Sequence, residues 1–189
     1  MAIILITGPA RSGKSEWAEH LAQQIAVPNS QQVVYIATAQ TNPDDAEWQA
    51  RIASHRRRRP ADWQCQEVPQ ALAEAIAQSN QRHCLLIDSL GTWLANLIEQ
   101  EAGAWEKTQQ QLIRALVATP ADVILVAEET GWGVVPAYKL GRTFRDRLGT
   151  LSRRIGHIAT DVYLVTGGYA LNISALGQLV KPIPNPLNP

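Results

Sequence analysis

The chain has 189 residues, 46% of them hydrophobic, and 17 Lys+Arg balance 17 Asp+Glu to give a formal net charge of zero. That length fits one domain with a sizeable core, and the hydrophobic share excludes overall disorder. Zero net charge leaves no global field to draw the chain onto nucleic acid, and no apolar run reaches the ~20 residues of a membrane helix.

The pattern alternates strand and helix from the start. MAIILITG is apolar, lacks a basic flank and is too short for a signal core, so it reads as a buried first strand of a cytoplasmic protein. A helix is predicted over about 14–26, with Trp17, Leu21 and Ile25 on one face. VVYIAT (33–38) is a second strand. A helix should follow from Asn42, with Pro43 in its first turn and Asp44 and Asp45 at its positive end. WQCQEV (63–68) reads as a short strand, Pro69 as a helix opening, and HCLLID (83–88) as a buried strand. A helix starting near Ser89 should be interrupted around Gly103. ADVILVAEE (121–129) is another buried strand, followed by the loop TGWGVVP. From about 137 to 159 a long helix carries Leu140, Phe144, Leu148, Leu151, Ile155 and Ile158 as its apolar stripe. DVYLVTGG and a short strand pair close the domain.

Buried strands alternating with helices predict an α/β fold: a mainly parallel sheet with helices on both faces. The expected organisation is one nucleotide-binding domain over 1–181 and a loose Pro/Asn-rich tail over 182–189. Cys65 and Cys84 both fall in predicted strands without metal-ligand spacing and read as reduced core thiols.

The strongest chemical signal is GPARSGKS, residues Gly8, Pro9, Ala10, Arg11, Ser12, Gly13, Lys14 and Ser15. It fits the P-loop pattern at every fixed position, with an apolar strand before it and an amphipathic helix after it. The glycines let backbone N–H groups point inward at phosphates, Lys14 reaches the β- and γ-phosphates, and the Ser15 hydroxyl suits Mg²⁺. Such a loop needs a carboxylate at a neighbouring strand end to organise the metal. Asp88 is the preferred candidate and Glu128 the reserve, although either, like Glu129, also suits a helix cap or a solvated position.

RIASHRRRRP (51–60) sets His55 before four arginines, Arg56, Arg57, Arg58 and Arg59. Trp48, Ile52 and His55 share one helix face by spacing. The arginines suit a helix C-terminus, and a histidine on such a face is often a core residue. Alternatively, the arginines screen a triphosphate while a neutral imidazole attacks phosphorus; clustered cations disfavour the imidazolium. The residues alone leave both readings open. A nucleic-acid role is weaker, since the run is short and has no interleaved aromatics.

Taken in order, GPARSGKS, YIATAQ, RIASHRRRRPADWQCQE, LLIDSLGTWLANL, EETGWGVVP…FRD and DVYLVTGG make the chain resemble the bifunctional adenosylcobinamide kinase/adenosylcobinamide-phosphate guanylyltransferases of cobalamin biosynthesis, across about 1–170. The resemblance implies two reactions. A γ-phosphoryl passes from ATP or GTP to the aminopropanol hydroxyl of adenosylcobinamide. GMP then passes from GTP, through His55, to adenosylcobinamide phosphate, giving adenosyl-GDP-cobinamide. By the same matching, Gly8 to Ser15 hold the phosphates, and Ala37, Thr38 and Ala39 lie along the nucleotide. Arg56 to Arg59 flank the triphosphate, and Glu67 and Asp88 contact the nucleotide. Ser15 and Asp88 would hold Mg²⁺, and the resemblance implies a homo-oligomer, a trimer being one such assembly.

Two departures stand out. Ser89 and Gly91 occupy places where a cysteine and a threonine are usual, and Ser54 precedes the nucleophile where a second histidine can occur. The rival readings are a P-loop kinase without guanylyl transfer and a GTP-binding switch protein. A nucleic-acid ATPase is disfavoured by the balanced charge.

Overall fold

The computed structural model describes residues 1–40, 59–133 and 135–181. The helix expected from Asn42, with Trp48, Ile52 and His55 on one face, lies outside the described residues, as does the 182–189 tail.

Seven strands form one sheet: β1 (Ile3–Gly8), β2 (Gln32–Ala37), β3 (Gln64–Glu67), β4 (His83–Asp88), β5 (Asp122–Glu128), β6 (Asp161–Thr166) and β7 (Tyr169–Asn172). Their spatial order is β3-β2-β4-β5-β1-β6-β7. Every neighbouring pair is parallel except β6 with β7, which is antiparallel. The described helices are α1 (Lys14–Asn29), α2 (Leu72–Ala77), α3 (Leu90–Asn96), α4 (Ala102–Ala118), α5 (Lys139–Ile158) and α6 (Ile173–Leu176). The predicted α/β architecture is the observed one.

Side chains that alternate along a strand point to opposite faces, and here both faces are apolar. Ile3 and Leu5 of β1, Val34 and Ile36 of β2, Leu85 and Ile87 of β4, and Val123 and Leu125 of β5 pack under α2, α3, α4 and α5. The alternate residues Ile4, Ile6, Val33, Tyr35, Leu86, Ile124 and Val126 pack against α1. Helix α1 meets that face through Ala18, Leu21, Ala22 and Ala26, and the alanines let it approach closely. Double-sided burial explains why these strands read as continuous hydrophobic runs.

Three local expectations change. The break after Ser89 falls at 97–101, and Gly103 lies inside the first turn of α4. Arg147 fixes this break by donating to the carbonyls of Ile98 at 2.9 Å and Gln100 at 2.6 Å. Carbonyls turned toward a guanidinium are unavailable to continue a helix. The stripe on α5 enters the core only from Phe144 onward, and Leu140, in the first turn of the helix, is 58% exposed. Cys84 is buried as expected, but Cys65 is exposed. Strand β3 is an outer edge of the sheet, so among the described residues no further strand flanks it.

Burial, aided by Asp122, pushes the Cys84 thiol up to about 12. A thiolate is the reactive form, so Cys84 is unreactive at neutral pH. Titration of native protein with an aromatic disulfide reagent at pH 8 should modify Cys65 promptly and Cys84 only on unfolding. Two thiols reacting at equal rates in native protein would contradict this packing.

Candidate nucleotide site

Because both faces are closed, polar groups collect at the carboxyl ends of the parallel strands, where open α/β sheets bind ligands. The register aligns Ala37 with both Glu67 and Asp88, and Gly8 with Glu128. These ends form one edge, and the phosphate loop rises from its middle at β1.

The loop's glycines are required by its shape. A side chain at Gly8 would collide with the Val165 carbonyl of β6 and lie 2.8 Å from the Ser12 hydroxyl. Gly13 has φ 92°, a left-handed conformation that favours glycine, and it is the N-cap of α1. Arg11 also takes a left-handed φ of 60°. Lys14 is 8% exposed and its Nζ donates to the Pro9 carbonyl at 3.2 Å, so the ammonium lies folded over the loop. The Ser12 hydroxyl is buried without a hydrogen-bond partner among the described residues. Ser15 follows Lys14 in the first turn of α1. An orphaned hydroxyl, a folded lysine and a helix N-terminus in one loop make an anion cradle. Glu129 supports it from below: Thr7 donates its hydroxyl to the Glu129 carboxylate, and the Glu129 N–H donates to the Gly8 carbonyl at 2.9 Å.

Asp88 closes β4, and the chain then turns into α3 through a capping box between Ser89 and Thr92. Thr38 is fully buried, and its hydroxyl is held by this turn. It accepts from the Ser89 N–H at 2.9 Å, donates to the Ser89 carbonyl at 2.7 Å and meets the Thr92 hydroxyl. The Thr38 carbonyl accepts from Asn96 at 2.7 Å. Thr38 therefore joins β2 to α3, and Ala37 and Ala39 are only partly buried on either side of it. Glu128 grips the same turn from β5, accepting from the Ser89 hydroxyl and from the Gly91 N–H at 2.9 Å. Burial raises the Glu128 carboxyl above its ordinary range, against the lowering effects of the Ser89 hydrogen bond and the Lys14 charge.

The arginine run reaches this edge through its last member. The Arg59 guanidinium lies over the Tyr35 ring, 3.5 Å from its centroid, and Nη1 is 3.7 Å from the Cys65 sulfur. Tyr35 donates its hydroxyl to the Asp88 carboxylate at 2.9 Å. Burial and the adjacent Asp88 push the Tyr35 hydroxyl far above a tyrosine's usual range, so it stays protonated and remains a donor. His55 and Arg56 to Arg58 lie outside the described residues. Glu67 is exposed at the end of the edge strand.

Of the residues named from sequence, the fold brings the loop 8–15, Ala37, Thr38, Glu67, Asp88 and Arg59 to one edge. Sequence reasoning named Glu129 only as an acid at a strand end, and did not find Tyr35, Thr92 or Asn96 as parts of that edge. A parity argument could have found Tyr35, because it shares a sheet face with Ala37 two residues before the strand end. Thr92 could have been found from its capping-box spacing to Ser89, whereas Asn96 acts through tertiary hydrogen bonds that have no sequence period.

The cobinamide kinase / cobinamide phosphate guanyltransferase family description matches residues 4–173. The chain is 40% identical to the bifunctional adenosylcobalamin biosynthesis protein CobP of Pseudomonas aeruginosa over 166 residues, covering 87% of this chain and 92% of that one. It is 37% identical to the bifunctional adenosylcobalamin biosynthesis protein CobU of Escherichia coli over 186 residues, covering 90% and 99%. Among solved structures, an ATPase domain superposes with a TM-score of 0.51 at 11% identity, covering 86% of this chain and 68% of its own. That last likeness concerns the fold alone.

Tyr35→Phe keeps the ring under Arg59 and removes only the hydroxyl bond to Asp88, whereas Tyr35→Leu removes both. In urea denaturation the first should cost about 1 kcal/mol, and the second about 2–3 kcal/mol, through the added loss of ring packing and the cation–π contact. Equal costs for the two variants would show that the Arg59 stack contributes nothing.

Proposed function

The chain belongs to the cobinamide kinase / cobinamide phosphate guanyltransferase family, and on that premise we propose how its own residues carry the two reactions. In the first, the aminopropanol hydroxyl of adenosylcobinamide attacks Pγ of ATP or GTP. The bond from Pγ to the β–γ bridging oxygen breaks, the nucleoside diphosphate leaves with the electron pair, and the hydroxyl proton is released. In the second, a neutral ring nitrogen of His55 attacks Pα of GTP, the bond from Pα to the α–β bridging oxygen breaks and pyrophosphate leaves. The phosphate of adenosylcobinamide phosphate then attacks Pα, the P–N bond breaks and His55 is released as a neutral imidazole once its proton balance is restored. Splitting one difficult displacement into two is the gain from a covalent carrier.

In this reading the loop Gly8 to Ser15, through the backbone N–H groups it has after Pro9, and the Lys14 ammonium hold the phosphates and offset charge developing on their oxygens. Ala37, Ala39 and Glu67 line the nucleotide's course along the strand ends, and Thr38, whose hydroxyl, N–H and carbonyl are all engaged, holds that stretch in place. The donor set of one hydroxyl, Ser15, and one carboxylate, Asp88, consists of hard oxygens and suits Mg²⁺ with phosphate and water completing the shell. When bound, Mg²⁺ would supply positive charge that offsets the charge on the phosphates. Arg56 to Arg58 would flank the triphosphate and keep His55 neutral.

The observation that carries the reading is the Arg59–Tyr35–Asp88 contact at the edge that bears the phosphate loop. His55 precedes Arg59 by four residues, so the chain can carry its Cα no more than about 14 Å from the Cα of Arg59. That reach supports a site shared by the phosphate loop and the His55 motif. No described helix is long and apolar enough to cross a membrane. A cytoplasmic homo-oligomer is part of the same proposal, favoured by exposed Leu176, Leu179 and Val180 near the end of the described chain.

The deciding experiment incubates the protein with Mg²⁺ and GTP labelled at the α-phosphate. Wild type should acquire a protein-bound label that survives alkali and is lost in acid, and His55→Ala should acquire none. Unlabelled wild type that still binds GTP would leave only the kinase, the second reading.

A further inference from the structure

Gly91 is buried in the first turn of α3, and a Cβ built there would run into the Glu128 carboxylate, with Cδ only 2.7 Å away. The carboxylate is held in that place by the Gly91 N–H at 2.9 Å and by the Ser89 hydroxyl. Glu128 ends β5 in register with Gly8, the first residue of the phosphate loop. The turn that it grips begins at Asp88, and Thr38 holds that turn from the β2 side through the Ser89 N–H and carbonyl. Asp88 is thus followed by a turn braced from two neighbouring strands.

We propose that Glu128 is a positioning residue, setting Asp88 against the phosphate loop, and that Gly91 is its matched partner, lacking a side chain because the Glu128 carboxylate fills that space. Glu128 is not a ligand of the nucleotide in this account. Both of its oxygens are engaged by the turn, and its contribution is to fix where Asp88 stands.

The rate part of the test rests on the kinase activity, whereas the pairing is read from stability alone, so the two fail separately. Gly91→Ala should lower the melting temperature by about 5 °C in the wild-type background, because it overpacks a held carboxylate, and by less than about 2 °C in the Glu128→Ala background. Equal losses in both backgrounds would overturn the pairing. In the kinase reaction, Glu128→Ala should lower kcat about tenfold, with nucleotide affinity changed less than about threefold, as expected for displaced rather than lost machinery. Glu128→Gln can still accept from Gly91 and donate to Ser89, so it should stay within about threefold of wild type. Equal kcat values for Glu128→Ala and Glu128→Gln would overturn the positioning role. That comparison stands even if Gly91→Ala does not fold. Wild type with no kinase turnover would sink the activity reading and leave the melting cycle to decide the pairing.

Discussion

The constraint on which the rest depends is the closure of both faces of a parallel sheet. Alternate residues of β1, β2, β4 and β5 are apolar in both directions, and helices cover each side. Polar side chains therefore have only the strand ends. Among the described residues, Gly8, Ala37, Glu67, Asp88 and Glu128 share that edge by register. Partial burial at the same edge raises the Glu128 carboxyl and keeps the Tyr35 hydroxyl protonated. The low-polarity interior that stabilises the sheet also sets the protonation states beside the loop.

The edge is tied together by hydroxyls that bond to one another and to the carboxylates of Asp88, Glu128 and Glu129. Thr38, Ser89 and Thr92 exchange hydrogen bonds, Tyr35 holds Asp88 through a hydroxyl, and Lys14 rests on the Pro9 carbonyl. Hydroxyl networks fix geometry with short, directional bonds and add no net charge. This suits a site whose ligand is itself strongly anionic.

Much of the fold was legible because its signals are periodic or local. The strands announced themselves as apolar runs, Ser89 as the start of a helix, and the phosphate loop as a fixed spacing of glycines, lysine and serine. What escaped was set by contacts distant in sequence. Gly103 looked like a helix break, yet the break is made by Arg147 reaching Ile98 and Gln100. Cys65 looked like a core thiol, because its strand's place at the sheet edge is a topological fact that no spacing encodes. Gly91 looked like a lost hydroxyl, whereas in space it is the room taken by Glu128, 37 positions away.

The balanced charge of the chain sharpens the reading of its arginine run. With no global field, each cation acts within about one screening length, roughly 8 Å at physiological salt. The run's function must then come from where its members are held. Arg59 is held on an aromatic face whose hydroxyl bonds the acid at the end of β4. In the proposed function, Asp88 serves the site of phosphoryl transfer and the segment ending at Arg59 carries the guanylyl acceptor. Tyr35 touches both, one with its hydroxyl and the other with its ring. On that proposal a single buried tyrosine would give the two activities a common base, a physical reason for both to operate on one edge of one sheet.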